Sequence, residues 1–212
     1  MNNDNPIKDL QEIRKMMEDS SKFLSLSGLS GIFAGLTAIG GALLAYFQLE
    51  NFQTKSGHYY NTGRISDEVF NLELKLIIIA AFVFILALGF GILFTALKAK
   101  KQNQKLWTPV AYRVLRSLMV PLFFGGLFVL ALFKHDIYGL IAPATLVFYG
   151  MSLLNASKYF SVEIKYLALS EMILGTILAF YPENALIFWG VGFGIFHIIY
   201  GAIMYFRYDY NK

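Results

Sequence analysis

Six long stretches of this chain carry at most one charge each: Phe23–Leu49, Leu76–Leu97, Ser117–Phe133, Ile137–Ser157, Tyr166–Pro182 and Asn184–Phe206. A helix that crosses a bilayer needs roughly 17–25 mainly apolar residues, so every one of them is long enough. Between them lie short charged segments. With 57% apolar residues and only 15% charged, the 212-residue chain falls well short of the roughly 25% charge usual in soluble domains. That composition excludes a disordered chain, a collagen and a small disulfide scaffold. Helix is preferred to strand because the runs are long and rich in Leu, Ala and Gly, whereas a membrane barrel shows strict alternation over about 10 residues. The expected fold is all-α: a polytopic membrane protein with six transmembrane helices arranged as three hairpins.

The charges set the expected orientation. Only Lys55, Arg64, Lys75 and Lys134 lie on one side of the spans, and the other fourteen of the 18 Lys and Arg residues lie on the opposite side. By the positive-inside rule both termini are expected in the cytoplasm. The net charge of +4 and pI of 9.1 therefore report topology, and no nucleic-acid partner is expected. The expected organisation is a cytoplasmic helix over 1–22, a membrane domain over 23–206 and a tail over 207–212. Approximate spans are 23–49, 72–97, 117–133, 137–157, 166–182 and 184–206. The first run is long enough to span, so an uncleaved first helix is expected rather than a signal peptide. A bacterial inner membrane is the expected location.

Asn5-Pro6 reads as a helix start, and Ile7, Leu10, Ile13 and Met17 then recur at helical spacing. Acidic and basic residues cancel along this segment, which argues against electrostatic anchoring to lipid. The stripe either lies on the bundle's own cytoplasmic face or docks a second copy or a cytoplasmic protein through residues 4–22. Segment 50–70 is polar and reads as an outward loop.

Within the spans, Ser27, Gly31 and Gly35 repeat every four residues, and Gly190 and Gly194 do the same in the last run. Small residues at this spacing let helix backbones approach closely in lipid. The second and third hairpins also echo one another: Tyr149-Gly150 and Tyr200-Gly201, then Lys158-Tyr159 and Arg207-Tyr208, recur about 50 residues apart. Repeats of two helices run parallel, which lowers the expectation of an inverted-repeat transporter.

Glu171 is the most informative residue. A carboxylate at mid-span costs roughly 2.5–3.5 kcal/mol on insertion scales, so it is expected to face protein or water. His197 is the single histidine inside a span. Counting from Lys165 and Arg207 at 1.5 Å per residue places the two at depths of about 9 and 15 Å in one leaflet. A Glu171–His197 contact is thus feasible, in a polar cavity that Asn155, Tyr200 and Ser30 would share. The alternative is an interhelical hydrogen bond with no further role.

Two resemblances rest on these residues. Leu174-Gly175-Thr176-Ile177-Leu178, Tyr181-Pro182-Glu183, Gly194-Ile195 and Tyr200-Gly201 resemble the hairpin repeat of HdeD-like six-helix membrane proteins. That resemblance implies a link to acid resistance. Ser21 through Gly31 is similar to the opening of a family of uncharacterised bacterial membrane proteins. Neither implies a catalytic residue. Gly28-Leu29-Ser30-Gly31 is also similar to the rhomboid serine motif, but it lies in the first span, and His197-x-x-x-Gly201 departs from the His-x-x-Gly spacing of that family. No catalytic residue, metal site or cofactor is expected. The expected function is regulatory or stress-associated and exerted through protein contacts, with a small transporter or channel as the alternative.

Overall fold

Helix is the only regular structure among residues 27–62, 65–103 and 105–210, which the computed structural model describes. Its order is α1 (Gly28–Thr62), α2 (Ile65–Lys101), α3 (Pro109–Lys134), α4 (Ile141–Ala156) and α5 (Val162–Phe180). A terminal rod comes next: α6 (Ala185–Trp189), a π-helical stretch (Gly190–Phe196), α7 (His197–Met204) and a second π-helical turn (Tyr205–Asp209). Single 3-10 turns supply the connections at Tyr138–Leu140, Ser157–Tyr159 and Pro182–Asn184. A chain this apolar must satisfy its backbone groups internally, and helices do so within each segment. The 1–22 segment, with its Ile7, Leu10, Ile13 and Met17 stripe, lies outside the described residues.

Five stretches are long and apolar enough to cross a membrane: Gly28–Thr54, Asp67–Lys101, Pro109–Lys134, Tyr138–Tyr159 and Pro182–Asp209. The chain is therefore a helical membrane protein. α5 has 19 residues and carries Glu163, Lys165 and Glu171, and it is not among these five. Large apolar side chains point outward along α2, where Phe82, Ile85 and Ile92 are each more than half exposed. In water such a face would be a liability, whereas in a bilayer lipid covers it.

The helix ends correct one expectation. Segment 50–70 is helical to Thr62 and again from Ile65 rather than an open loop. Helical hydrogen bonds are local, so a helix need not stop where it leaves the apolar layer. Gln48, Glu50 and Gln53 are good helix formers, and no proline interrupts them. At the start of α3 the sequence signal is explicit: Thr108 accepts the Ala111 amide at 3.1 Å, and Pro109 takes the first helical position.

α1 packs on α2 and on the terminal rod, while α4 packs on α3 and α5. The crossing of α1 with the terminal rod is a backbone contact. A Cβ on Gly201 would sit 2.5 Å from the Ile32 nitrogen, and one on Gly35 would sit 2.6 Å from the Gly194 carbonyl oxygen. Gly31 meets Gly201 at 3.0 Å in the same way. Gly31, Gly35 and Gly194 thus serve contacts within the chain rather than between copies, with Gly28 and Gly201 beside them. Gly190 lies at the margin, its nearest neighbour being the Ala42 side chain at an ordinary 3.5 Å. Ser27 has a different task, described below. Around Tyr200 and Met204 a buried apolar cluster of Val114, Leu153, Ile164 and Leu167 joins α3, α4, α5 and α7.

Candidate functional site

Glu171 sits midway along α5 and is fully buried. Gly192 makes room for it: a Cβ there would lie 2.6 Å from both Glu171 Oε2 and the Leu146 side chain, with Leu174 at 3.3 Å. The carboxyl group is therefore sealed beneath a glycine and two leucines.

His197 approaches from the terminal rod, where its Nδ1 lies 3.4 Å from Glu171 Oε1. The same Nδ1 is 3.1 Å from the Gly192 carbonyl oxygen, and Nε2 is 2.8 Å from the Tyr149 hydroxyl. A carbonyl only accepts, so Nδ1–H donates to Gly192, and in the neutral ring Nε2 accepts from Tyr149. The π-helical stretch explains the first of these bonds. Gly192 and His197 are five residues apart, and the widened turn leaves that carbonyl beneath the ring. Such turns recur at functional sites.

An aromatic wall encloses the histidine. Trp189 and Phe193 lie with ring centres 4.9 Å apart, Phe193 and His197 6.0 Å apart, and Tyr149 lies 5.0 Å from Phe193. Neither oxygen of Glu171 has an aligned hydrogen-bond partner among the described residues, and the 3.4 Å approach of the neutral imidazole is a contact without a hydrogen bond. Tyr149, His197 and Glu171 form a line of three ionisable side chains from three elements. Such a line can hold a proton or hand it along.

The other expected cavity residues separate from this pair. Asn155 is exposed, and its Nδ2 donates to the Ser117 carbonyl at 2.8 Å, tying α4 to α3. Its helical azimuth turns it away from α5, which corrects the expectation that it lines a cavity with Glu171. The Ser30 hydroxyl is buried but donates to the Ser27 carbonyl, within its own turn. Tyr200 is buried three residues beyond His197, and its hydroxyl has no hydrogen-bond partner among the described residues. Tyr149 and the Gly192 carbonyl were not expected at the site. The recurring Tyr149-Gly150 motif is the available signal for the first of them.

A second polar cluster closes the end of the bundle where the terminal rod finishes. Asp209 Oδ2 accepts the Gly28 amide at 2.8 Å and the Ser27 hydroxyl at 3.3 Å, capping α1 from the far end of the chain. Asp209 Oδ1 pairs with Lys98 Nζ of α2 at 2.7 Å. Nearby, in the first turn of α5 and ahead of the apolar run that begins at Tyr166, Glu163 Oε1 accepts from Arg207 Nη1 at 2.7 Å and from the Tyr208 hydroxyl at 3.2 Å. Burial pushes the Glu163 carboxyl up, but its own amide, Ser161, Tyr208 and Arg207 outweigh that and hold it below its ordinary value. Oε2 itself has no hydrogen bond of good geometry among the described residues.

No group of three or more His, Asp or Glu among the described residues is placed to hold a metal ion. Comparison of the chain with protein-family models, with curated proteins and with solved structures finds no match in any of the three.

Proposed function

We propose that this chain is a six-helix integral protein of a bacterial cytoplasmic membrane that acts through protein contacts rather than by passing a solute. The closure around Glu171 carries the reading. A conduit gives its membrane-embedded carboxylate access to water or substrate, whereas this one is fully buried under Gly192, Leu146 and Leu174. On this reading α5, from Tyr166 onward, supplies the sixth crossing over the expected span 166–182. The distribution of cations supports cytoplasmic termini. Contacts are assigned to residues 4–22, which lead directly into the α1 start that Asp209 caps. The regulatory or stress-associated character rests on the two family resemblances.

Two measurements test this. The chain has no cysteine, so single-cysteine variants label cleanly. A membrane-impermeant maleimide should label His58→Cys in intact cells and label Lys212→Cys only after lysis. A photo-cross-linker at Ile13 should give one defined product, either a dimer or a complex with one cytoplasmic protein, and Leu10→Asp should abolish it. Reversed labelling, or a cross-linker that captures only lipid, contradicts the proposal.

A second reading, a small proton-coupled transporter, is favoured by the Tyr149–His197–Glu171 line. It requires the Gly192 contact to open during a transport cycle.

A further inference from the structure

Cations and carboxylates are unevenly distributed at the end of the bundle where the terminal rod finishes. Between Glu73 and Asp136 the chain has no acidic residue, yet Lys98, Lys100, Lys101, Lys105, Arg113 and Arg116 fall there. Among the described residues the carboxylates at this end are engaged beside the rod, Asp209 by Lys98 and Glu163 by Arg207. Lys100, Lys101, Lys105, Arg113 and Arg116 are exposed, and none of these five pairs with a carboxylate among the described residues. The chain's turn keeps them together. The Gln102 amide donates to the Lys98 carbonyl at 3.0 Å, and Asn103, at φ 53°, adopts the left-handed conformation that ends α2. Arg113 and Arg116 are three residues apart in α3 and so share a face. Between the two groups stand Trp107 and Tyr112, with ring centres 5.6 Å apart and 64% and 60% exposed. Exposed Trp and Tyr rings belong at the head-group level of a membrane.

We propose that the α2–α3 connection is a binding surface for anionic glycerophospholipid. Lys100, Lys101, Lys105, Arg113 and Arg116 hold the lipid phosphates, and the Trp107–Tyr112 pair sits among the head groups. Charge complementarity names the lipid. Cations without acidic neighbours favour a net-negative head group over a zwitterion, which brings a cation of its own against them. Position names the source. Lys100 and Lys101 follow the apolar run that ends at Leu97 by about one helical turn, and Arg116 directly precedes the run that begins at Ser117. At that depth the phosphates of the adjoining leaflet lie within a Debye length of about 8–10 Å. Acidic residues count little in setting orientation, so orientation does not account for a cation cluster kept clear of carboxylates. The proposal requires only that the chain sits in a bilayer, so it fails or survives independently of whether the protein acts through contacts.

The test is lipid selectivity of the full chain in liposomes. Trp107 is one of two tryptophans, so the quenching seen in the parent and missing from Trp107→Phe reports lipid at this turn. The liposomes are phosphatidylcholine with a minor fraction of a lipid brominated on its acyl chains, either phosphatidylglycerol or phosphatidylcholine. Brominated phosphatidylglycerol should quench Trp107 as though enriched about fivefold over brominated phosphatidylcholine, the factor that one Lys or Arg supplies near a charged surface. Molar salt should cancel the preference, because the cations are exposed and screened. Lys100→Gln, Lys101→Gln, Lys105→Gln, Arg113→Gln and Arg116→Gln together should cancel it as well, while exchanging the same lysines for arginine should preserve it. Equal quenching by the two lipids, a preference that salt leaves intact, or one that survives the five glutamines overturns the proposal. Equal quenching is also the result expected if an acidic protein segment covers the cations in place of lipid. The head-group and salt comparisons on the unmodified chain decide the matter even if the glutamine variant fails to fold.

Discussion

His197 and Glu171 meet at 3.4 Å, Nδ1 to Oε1, across the contact between α5 and the terminal rod. The histidine is held in place from both ends, by the Gly192 carbonyl and the Tyr149 hydroxyl. The carboxyl group is not: its oxygens lack aligned donors among the described residues, and its surroundings are apolar. A folded membrane protein does not need a carboxylate in such a place for stability.

Replacing it should therefore help the fold. Glu171→Met keeps the unbranched shape, removes two unpaired oxygens, and relieves an insertion cost of roughly 2.5–3.5 kcal/mol. Thermal unfolding in detergent should move to higher temperature. A lower midpoint would mean that the carboxyl group contributes to the fold through a partner of its own.

The glycines divide sharply by neighbourhood. Gly201→Ala drives a methyl group against the Ile32 nitrogen and the Gly28 carbonyl, both backbone atoms that cannot turn aside. It should lose about 1–3 kcal/mol, the usual cost of overpacking. Gly91→Ala, with nothing within 4 Å of the added carbon, should be neutral or gain up to about 1 kcal/mol from helix propensity. Unfolding midpoints of the two variants should straddle the parent, and equal effects would contradict the close crossing of α1 with the terminal rod.

Asp209 caps α1 and pairs with Lys98 at once. Asp209→Asn keeps an oxygen for the Gly28 amide and gives up the ion pair, whereas Asp209→Ala gives up both. The alanine variant should lose about 1 kcal/mol more than the asparagine variant, the worth of a cap. Protease sensitivity near residue 28 should rise in the same order. Identical losses would show that the cap contributes nothing.

The Glu163 carboxyl, held below its ordinary value in the folded chain, gives a pH signature. Its contribution is fully present above the unfolded carboxyl's pKa and is lost as pH falls through the lower folded value. Arg207 is largely exposed, so solvent screens the pair and the effect is small. The stability difference between the parent and Glu163→Gln should be present at neutral pH and vanish on acidification. A difference that grows as pH falls would reverse the assignment.

Much of this arrangement can be read from the residues themselves, and the unread parts have physical reasons. Apolar runs locate the helices because lipid imposes a length, but nothing in lipid fixes how far a helix continues into water, so α1 runs to Thr62. Depth along a helix comes from counting, which puts Glu171 and His197 within about 6 Å of one another in depth. Azimuth is harder to count, and Asn155, at a suitable depth, faces out toward Ser117. Across the π-helical stretch Gly190–Phe196 the widened turn rotates the residues downstream of it. Gly190 and Gly194 both still face α1, but only Gly194 lies in tight contact with it. Asp209, near the end of the chain, reaches Gly28 at the start of α1, a pairing that no local pattern announces.

The most direct test is proton and cation flux through the full chain in sealed liposomes, tracked with a trapped pH-sensitive dye under an imposed gradient. With Glu171 closed off beneath Gly192, the parent and Glu171→Gln should both match empty liposomes. Flux in the parent that disappears in Glu171→Gln would contradict a sealed, contact-acting protein and establish the Tyr149–His197–Glu171 line as a conduit.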